Sequence, residues 1–322
     1  MGVTKKDNSA IWFDKDPILH SAWLYYQDGL NQTDIAEVLG VSRASVVKYL
    51  QQARELGHVK ITLDQERYAK AAVAAELQVK YNLDNVLIAP ADEGQTPVRT
   101  RLARAGAMYL DHVVADGDVI GVAWGRTIHE LSLHLPRKPL HDVSVVQMIG
   151  SMYGQSGFAA EECSSQIANK FNGNGMNLHV PAIVSSARLA TELQAEPIVR
   201  SHFSVLEKCN RSLFVIGNCS PRNSVVRSGI INEEEMEKYR QLGAVGVICG
   251  RFLDAEGRPV ITELDLRVLG VNLAQLRQMP NRIMIGGGPT NHEAVLAAIR
   301  GGFVSDLITD HDTARFLLDT AD

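Results

Sequence analysis

The sequence is poor in cysteine: four in 322 residues, at positions 163, 209, 219 and 249, with no CxxC spacing. That excludes a disulfide framework and a zinc-type cluster, and it reads as reduced, mostly buried thiols in a cytoplasmic protein. No apolar run reaches the roughly 18 residues of a membrane span. The first fifteen residues carry lysines but no apolar core, which excludes a secretory signal. An excess of basic residues is missing too: 32 Lys and Arg face 37 Asp and Glu, a formal charge of −5. This speaks against a protein basic throughout, but DNA binding depends on the local patch. Between Ser42 and Lys60 the basic residues Arg43, Lys48, Arg54 and Lys60 face Glu55 alone.

What is present is ordinary for a globular chain: 45% hydrophobic and 21% charged residues. The length predicts two domains. Residues 17–26 form a first helical segment, with Leu19, Trp23 and Tyr26 at helical spacing and Gly29 ending it. Two short helices follow, then an alternating run at 58–63 that predicts a strand. An alanine-rich stretch at 64–81 predicts a linker helix. The expected divisions are therefore an N-terminal domain at 1–63, a linker helix at 64–81 and a larger domain at 82–322.

Beyond residue 82, apolar strand-like runs at 85–89, 118–122, 143–149, 178–180, 213–216, 245–249, 282–285 and 306–308 alternate with helical patterns. The helical stretches include 98–113, 161–171, 233–242, 293–300 and 313–318. Such alternation implies a doubly wound α/β fold with a mainly parallel sheet covered on both faces.

The most informative stretch is QTDIAEVLGVSRASVVKYLQ, residues 32–51. A helix-turn-helix needs a small residue where its helices meet, and Ala36 supplies it. The turn needs a residue tolerant of left-handed backbone, and Gly40 stands there. Ile35, Leu39, Val41, Val46 and Tyr49 fall on the packing face, and Ser42 is a good N-cap. Ser42, Arg43, Ala44, Ser45, Val47, Lys48 and Gln51 then point outward on a recognition helix suited to the major groove. Arg43 suits guanine, Gln51 adenine, and Ala44 or Val47 a thymine methyl. Thr33 and Lys48 suit backbone phosphate, and Gln32 is a further candidate DNA contact. The 58–63 strand, with Lys60, makes a short wing.

Four loops follow strand candidates, where ligands sit in open α/β sheets. They are GVAWGRT (121–127), QMIGS (147–151), Gly217-Asn218 and GGGPTN (286–291). Each alone is a tight turn; four at strand ends point to a pocket. The candidate effector contacts are Gly125, Arg126, Thr127, Gln147, Gly150, Ser151, Gly217, Asn218, Gly287, Gly288 and Asn291. Asp254 and Glu263, around a DAEG turn, are candidates for further polar contacts. Trp124 either packs or stacks on a sugar ring. The histidines show no recurrent ligand spacing, so no metal or cofactor is expected.

In these stretches the sequence resembles the SorC family of sugar-responsive transcription regulators. The resemblance is carried by residues 32–51 continuing into ARELGH (53–58), by 121–127, by LGAVG (242–246), by FLDAEG (252–257) and by 286–318 including LITD (307–310). It runs from about residue 24 to near the end. It implies a winged helix-turn-helix joined to an effector domain that looks like a sugar-phosphate isomerase fold. It also implies a homo-oligomer, commonly a tetramer, whose DNA affinity responds to the effector. Two positions depart from the family pattern: Ala123 where serine is frequent, and Asn291 where lysine is frequent.

The reading is thus a DNA-binding regulator of carbohydrate or polyol metabolism, with a sugar, polyol or their phosphate as effector and operator DNA as partner. Both departures remove phosphate partners, which leans the effector towards a neutral polyol. The competing reading is a sugar-phosphate isomerase or deaminase carrying an extra domain. Against it, no acid–base pair falls on the glycine loops. Glu161 and Glu162 have no evident partner and read as first-turn charges of a helix.

Overall fold

A computed structural model describes residues 16–59, 65–91, 96–152, 157–221, 224–227, 229 and 231–321. The chain divides into two compact units, Met1–Tyr68 and Ala69–Asp322.

The first unit holds α1 (Pro17–Tyr26), α2 (Gln32–Leu39) and α3 (Arg43–Glu55). Each begins on a side-chain cap: Asp16 accepts from the amides of Ile18 and Leu19, Asn31 from Thr33 and Asp34, and Ser42 from Ser45. Gly40 ends α2 in the left-handed region, φ 65° and ψ 33°. Leu24, Ile35, Ala36, Val46 and Leu50 form the core, with Leu30, Leu39 and Val41 packed against it. Two details differ from expectation. Leu50, not its neighbour Tyr49, closes the core from α3. On α1 the buried residues are Ser21, Ala22 and Leu24, while Trp23 and Tyr26 stay exposed. The small residues let α1 lie close to its neighbours, which bulky rings on that face would prevent. Of the expected wing, everything from Lys60 to residue 63 falls outside the described residues. Helix α4 (Gln65–Tyr81) spans the division between the units.

The second unit alternates strands and helices as β1 (Asn85–Ile88), α5 (Val98–Val113), β2 (Val119–Val122), α6 (Arg126–His134), β3 (Ser144–Gln147), α7 (Ala160–Phe171) and β4 (Asn174–Met176). It continues through α8 (Ala187–Ala195), α9 (Pro197–Leu206), β5 (Arg211–Val215), β6 (Gly217–Asn218), α10 (Ser224–Arg227), α11 (Glu233–Gln241), β7 (Ala244–Ile248), β8 (Arg251–Asp254) and β9 (Pro259–Val260). A 3-10 turn (Glu263–Arg267), α12 (Leu273–Gln278), β10 (Asn281–Ile285), α13 (His292–Arg300), β11 (Asp306–Thr309) and α14 (His311–Asp319) complete it. Among the described residues no helix is long and apolar enough to cross a membrane.

Seven strands form one sheet in the order β1-β11-β10-β5-β2-β3-β4, all parallel. Successive side chains of a strand point to opposite faces, and here both faces are covered. Val145, Leu213, Ile283, Ile285 and Ile308 enter one buried cluster, while Val146, Phe214, Met284 and Leu307 enter the other. That two-sided burial is why these strands read as continuous apolar runs.

The run at 245–249 does not join this sheet. It forms β7, inside a small antiparallel sheet of order β6-β7-β8-β9. The apolar run at 178–180 is not a strand either; the edge position is taken by Asn174–Met176, and the amide of Leu178 instead donates to the Gln147 side chain at 3.1 Å. Strand order reverses between β2, which leads out through β3 and β4, and β5, which leads the other way through β10 and β11 to β1. At such a reversal the two crossovers diverge and leave a crevice beyond the strand ends.

Candidate functional site

That crevice is a cavity of about 350 Å³. Its walls come from the ends of β2 and β5, from the loop after β10 and from the first turn of α5. Three helix starts meet there, and in none does the N-cap residue cap the helix with its own side chain: Pro97 before α5, Gly125 before α6 and Asn291 before α13. The first amides of a helix lack intrahelical partners and sit at its positive end, so they attract oxygen-rich or anionic groups.

Of the predicted effector residues, Gly125, Arg126, Thr127, Gly217, Asn218, Gly287, Gly288 and Asn291 line this one cavity. Two of the side chains are already engaged. Asn291 donates to the Gly287 carbonyl at 2.8 Å and accepts from Asn218 at 2.9 Å. Asn218 in turn donates to the Thr290 carbonyl and accepts from the amide of Ser220, both at 3.0 Å. The two amides tie the loop after β5 to the loop after β10.

Five predicted residues are not in the lining. Gln147 is buried, with its side chain donating to the Ile149 carbonyl at 2.8 Å and accepting from Leu178. Gly150 packs where a Cβ would stand 2.6 Å from the Val180 carbonyl, and its own carbonyl accepts from the Trp124 ring at 2.9 Å. Ser151 donates to Glu161 and accepts from Gln147 at 3.3 Å. Asp254 organises its own hairpin, accepting from the amides of Glu256 and Arg258 and from the Arg258 side chain. Glu263 is exposed at the start of the 3-10 turn. The loop after β3 thus packs inward, because Trp124 and Leu178 consume its polar groups.

Trp124 packs, half-buried, and also lines the cavity. Glu161 and Glu162 do have partners. Ser151 donates to the first; the second lies 3.2 Å from His129, whose ring stacks on Phe158, and accepts from the amide of Ala159. Neither carboxylate reaches the cavity lining.

Sequence reasoning missed Arg99, on the first turn of α5, which lines the cavity and bonds Glu130 at 3.0 Å. It also missed Arg227, whose charge, with that of Arg99, is felt at Arg126. Partial desolvation at the cavity mouth, then repulsion from Arg99 and Arg227, holds the Arg126 guanidinium below its ordinary pKa. Among the described residues no carboxylate pairs with Arg126. The cavity lining is arginine, threonine, serine, asparagine, backbone and apolar side chains; none of its described members is Asp, Glu, His, Cys or Lys.

In the first unit, Ser42, Arg43, Ala44, Val47, Lys48 and Gln51 are exposed on one side of α3. Ser45 is half-buried beneath the Ser42 cap, and Gln51 donates to Glu55 at 2.8 Å. Gln32 and Thr33 open α2, half-buried and exposed respectively.

The chain matches the family described as "Putative sugar-binding domain" over residues 66–319. It is 52% identical to the transcriptional regulator YjhU of Escherichia coli (strain K12) over 317 residues, covering 97% of this chain and 96% of that one. It is 30% identical to the deoxyribonucleoside regulator of Bacillus subtilis (strain 168), covering 93% and 96% of the two chains. The crystal structure of the full-length sorbitol operon regulator SorC from Klebsiella pneumoniae superimposes with a TM-score of 0.73 at 26% identity, covering 94% of this chain and 98% of that one. The chain belongs to the SorC family of sugar-binding transcriptional regulators.

A SorC-family sensor that reads a small molecule has no need of reactive thiols, and the four cysteines fit that. Burial pushes each thiol up to about 12, so at neutral pH all four are protonated; Cys163, Cys209 and Cys219 are buried and Cys249 is half-buried.

Proposed function

We propose that this SorC-family chain is an operator-binding regulator whose effector is an oxygen-rich anion, a sugar phosphate, seated in the cavity between β2 and β5. The observation that carries this is the convergence of three uncapped helix starts with Arg99 and Arg126, with the charge of Arg227 felt at Arg126. Amides and guanidinium forks together suit a phosphate, and a threonine, a serine and backbone carbonyls beside them suit hydroxyls. The sequence leaned the other way because Ala123 and Asn291 remove phosphate partners and Arg126 was the one evident cation in the 121–127 loop. With Asn291 committed to Gly287 and Asn218, the position that lysine occupies in many relatives serves here to fix the loops, and arginines from α5 and α10 supply positive charge.

The same lining supports binding without turnover. Isomerisation of a sugar phosphate moves protons, and no described lining side chain titrates near neutrality to accept or give one. DNA binding is assigned to α3, with Arg43, Ala44, Val47 and Gln51 towards bases and Lys48 and Thr33 towards phosphate. One recognition helix offers too little interface for specificity, so the working form is a homodimer or a larger assembly. Gln32, Ser42 and Ser45 at the helix starts orient the pair of helices on the backbone.

A polyol retains one argument, the two lost phosphate partners at Ala123 and Asn291. Melting of the full chain with sorbitol, sorbitol 6-phosphate, glucose 6-phosphate, ribose 5-phosphate and inorganic phosphate separates the two. A ligand at one hundred times its Kd stabilises by about 2.7 kcal/mol. Stabilisation by phosphorylated compounds only, with no consumption of them, is expected. A shift with sorbitol alone overturns the anionic reading, and turnover of any compound overturns the regulator-only reading.

A further inference from the structure

Helix α14 is fastened at both ends, to the cavity at one and to α4 at the other. At its start Asp310, 3% exposed, accepts from the amides of Asp312 and Thr313, both at 3.1 Å. Its second carboxylate oxygen accepts from the Thr313 hydroxyl at 2.8 Å and from the amide of Gly288 at 2.6 Å. Gly288 belongs to the glycine loop of the cavity wall. The adjacent Gly287 is so close that a Cβ there would stand 2.1 Å from that oxygen. One turn and a half along α14, Phe316 stacks on His292, the first residue after the same loop, with ring centres 4.9 Å apart.

At the other end of α14 the last carbonyls have no intrahelical donors. Helix α4 supplies them. The Lys80 ammonium donates to the carbonyls of Leu317 at 3.2 Å and Leu318 at 2.9 Å, and also to Thr320. The Tyr81 hydroxyl donates to Leu317 at 2.7 Å. A cation is favourable at the negative end of a helix dipole as well. Leu77 of α4 and Ala314 and Leu317 of α14 share one buried cluster.

We infer that α14 is the strut by which occupancy of the cavity is communicated to α4, with Asp310 positioning the glycine loop and Lys80 and Tyr81 gripping the linker helix. This rests on the effector reading of the cavity. A ligand that seats against the 286–291 loop, which lines the cavity, shifts that loop. If Asp310 stayed behind, a buried carboxylate would lose its shortest hydrogen bond, and unsatisfied buried charge is costly. The cheaper response is for Asp310 to follow, and with it a helix about 13 Å long that moves as one body. Its far carbonyls are held by Lys80, so α4 moves too. The first residues of α4 belong to the DNA-binding unit.

Hydrogen exchange on the full chain without any ligand tests the strut directly, comparing wild type with Lys80→Met, Tyr81→Phe and Asp310→Asn. Lys80→Met is expected to speed exchange of the 286–291 amides about fivefold across the length of the helix, while the 121–127 loop stays as in wild type. Tyr81→Phe moves the same amides in the same direction by less, and it keeps the test open if Asp310→Asn unfolds the domain. Faster exchange confined to α4 and the last turn of α14, or equal in both loops, overturns the strut. A second arm uses whichever compound of the melting panel binds best. That compound is expected to alter exchange at 71–81 in wild type and to bind Lys80→Met without altering it there; an equal response in the variant overturns the strut. If no compound in the panel binds, the effector reading fails, and the ligand-free arm still decides α14.

Discussion

Replacing Arg126 by alanine separates a guanidinium that serves a ligand from one that serves the fold, because the two roles have opposite signs. In the unliganded protein Arg126 is exposed and repelled by Arg99 and Arg227. Removing it relieves repulsion, and at an exposed site that is worth about 0–1 kcal/mol in favour of the variant. With a sugar phosphate bound, a charge-assisted hydrogen bond is lost, about 1.5–3 kcal/mol, or about 10- to 150-fold in Kd. A concentration one hundred times the wild-type Kd stabilises wild type by about 2.7 kcal/mol. For a variant thirtyfold weaker the same concentration is only about three times Kd and stabilises by about 0.9 kcal/mol. Arg126→Ala should therefore melt at or slightly above the wild-type temperature without ligand and clearly below it with ligand, at fixed ionic strength. Calorimetry then gives the affinities. Equal destabilisation with and without ligand, or an unchanged Kd, refutes the argument.

Arg43→Ala should weaken a selected operator by about 1–3 kcal/mol while scarcely changing a scrambled duplex, whereas Lys48→Ala should weaken both alike and flatten the salt dependence; titrations at two salt concentrations distinguish them. Gly40→Ala puts a Cβ on a residue at φ +65° with nothing within 4 Å of it, so its cost is backbone strain alone, about 1–2 kcal/mol, measurable as weaker DNA binding and earlier urea unfolding. Buried His202 donates from Nε2 to the Gln147 carbonyl at 2.7 Å, and desolvation, aided by His179, holds its pKa below the ordinary value. The unfolded chain then binds the proton first as pH falls, so stability present above about pH 6.5 is lost below it. Melting from pH 7.5 to 5 should show this slope in wild type and a shallower one in His202→Asn; identical slopes would count against it.

The helix-turn-helix was readable because its determinants are local. Gly40 needs only its own φ, Ser42 only the amide of Ser45, and Ala36 only the helix that follows. The main strands were readable because both faces are buried, so each is a plain apolar run. Strand β4 was not, since Asn174, Gly175 and Met176 lie on the sheet's edge and carry no such run. Neither were Arg99, which reaches the cavity, and Arg227, whose charge is felt at Arg126; both stand on helices whose sequences give no loop signal. Asp310 reads as an ordinary N-cap; only the fold brings Gly288, twenty-two residues earlier, onto its free oxygen. Conversely QMIGS looks like a ligand loop because strand-end glycines look alike whether a ligand or a backbone lies against them.

The place of β11 in the main sheet has a consequence for synthesis on the ribosome. This strand, the last in the chain, lies between β1 and β10. The first unit ends at residue 68, and β11 ends about 240 residues later. At ordinary elongation rates that gap lasts roughly 10 to 50 seconds. Throughout it the DNA-reading segment has left the polymerising centre while the sensor still lacks the strand that joins its first part to its centre. A chain stopped before Asp306 would leave β1 and β10 each with an unpaired edge, a template for aggregation.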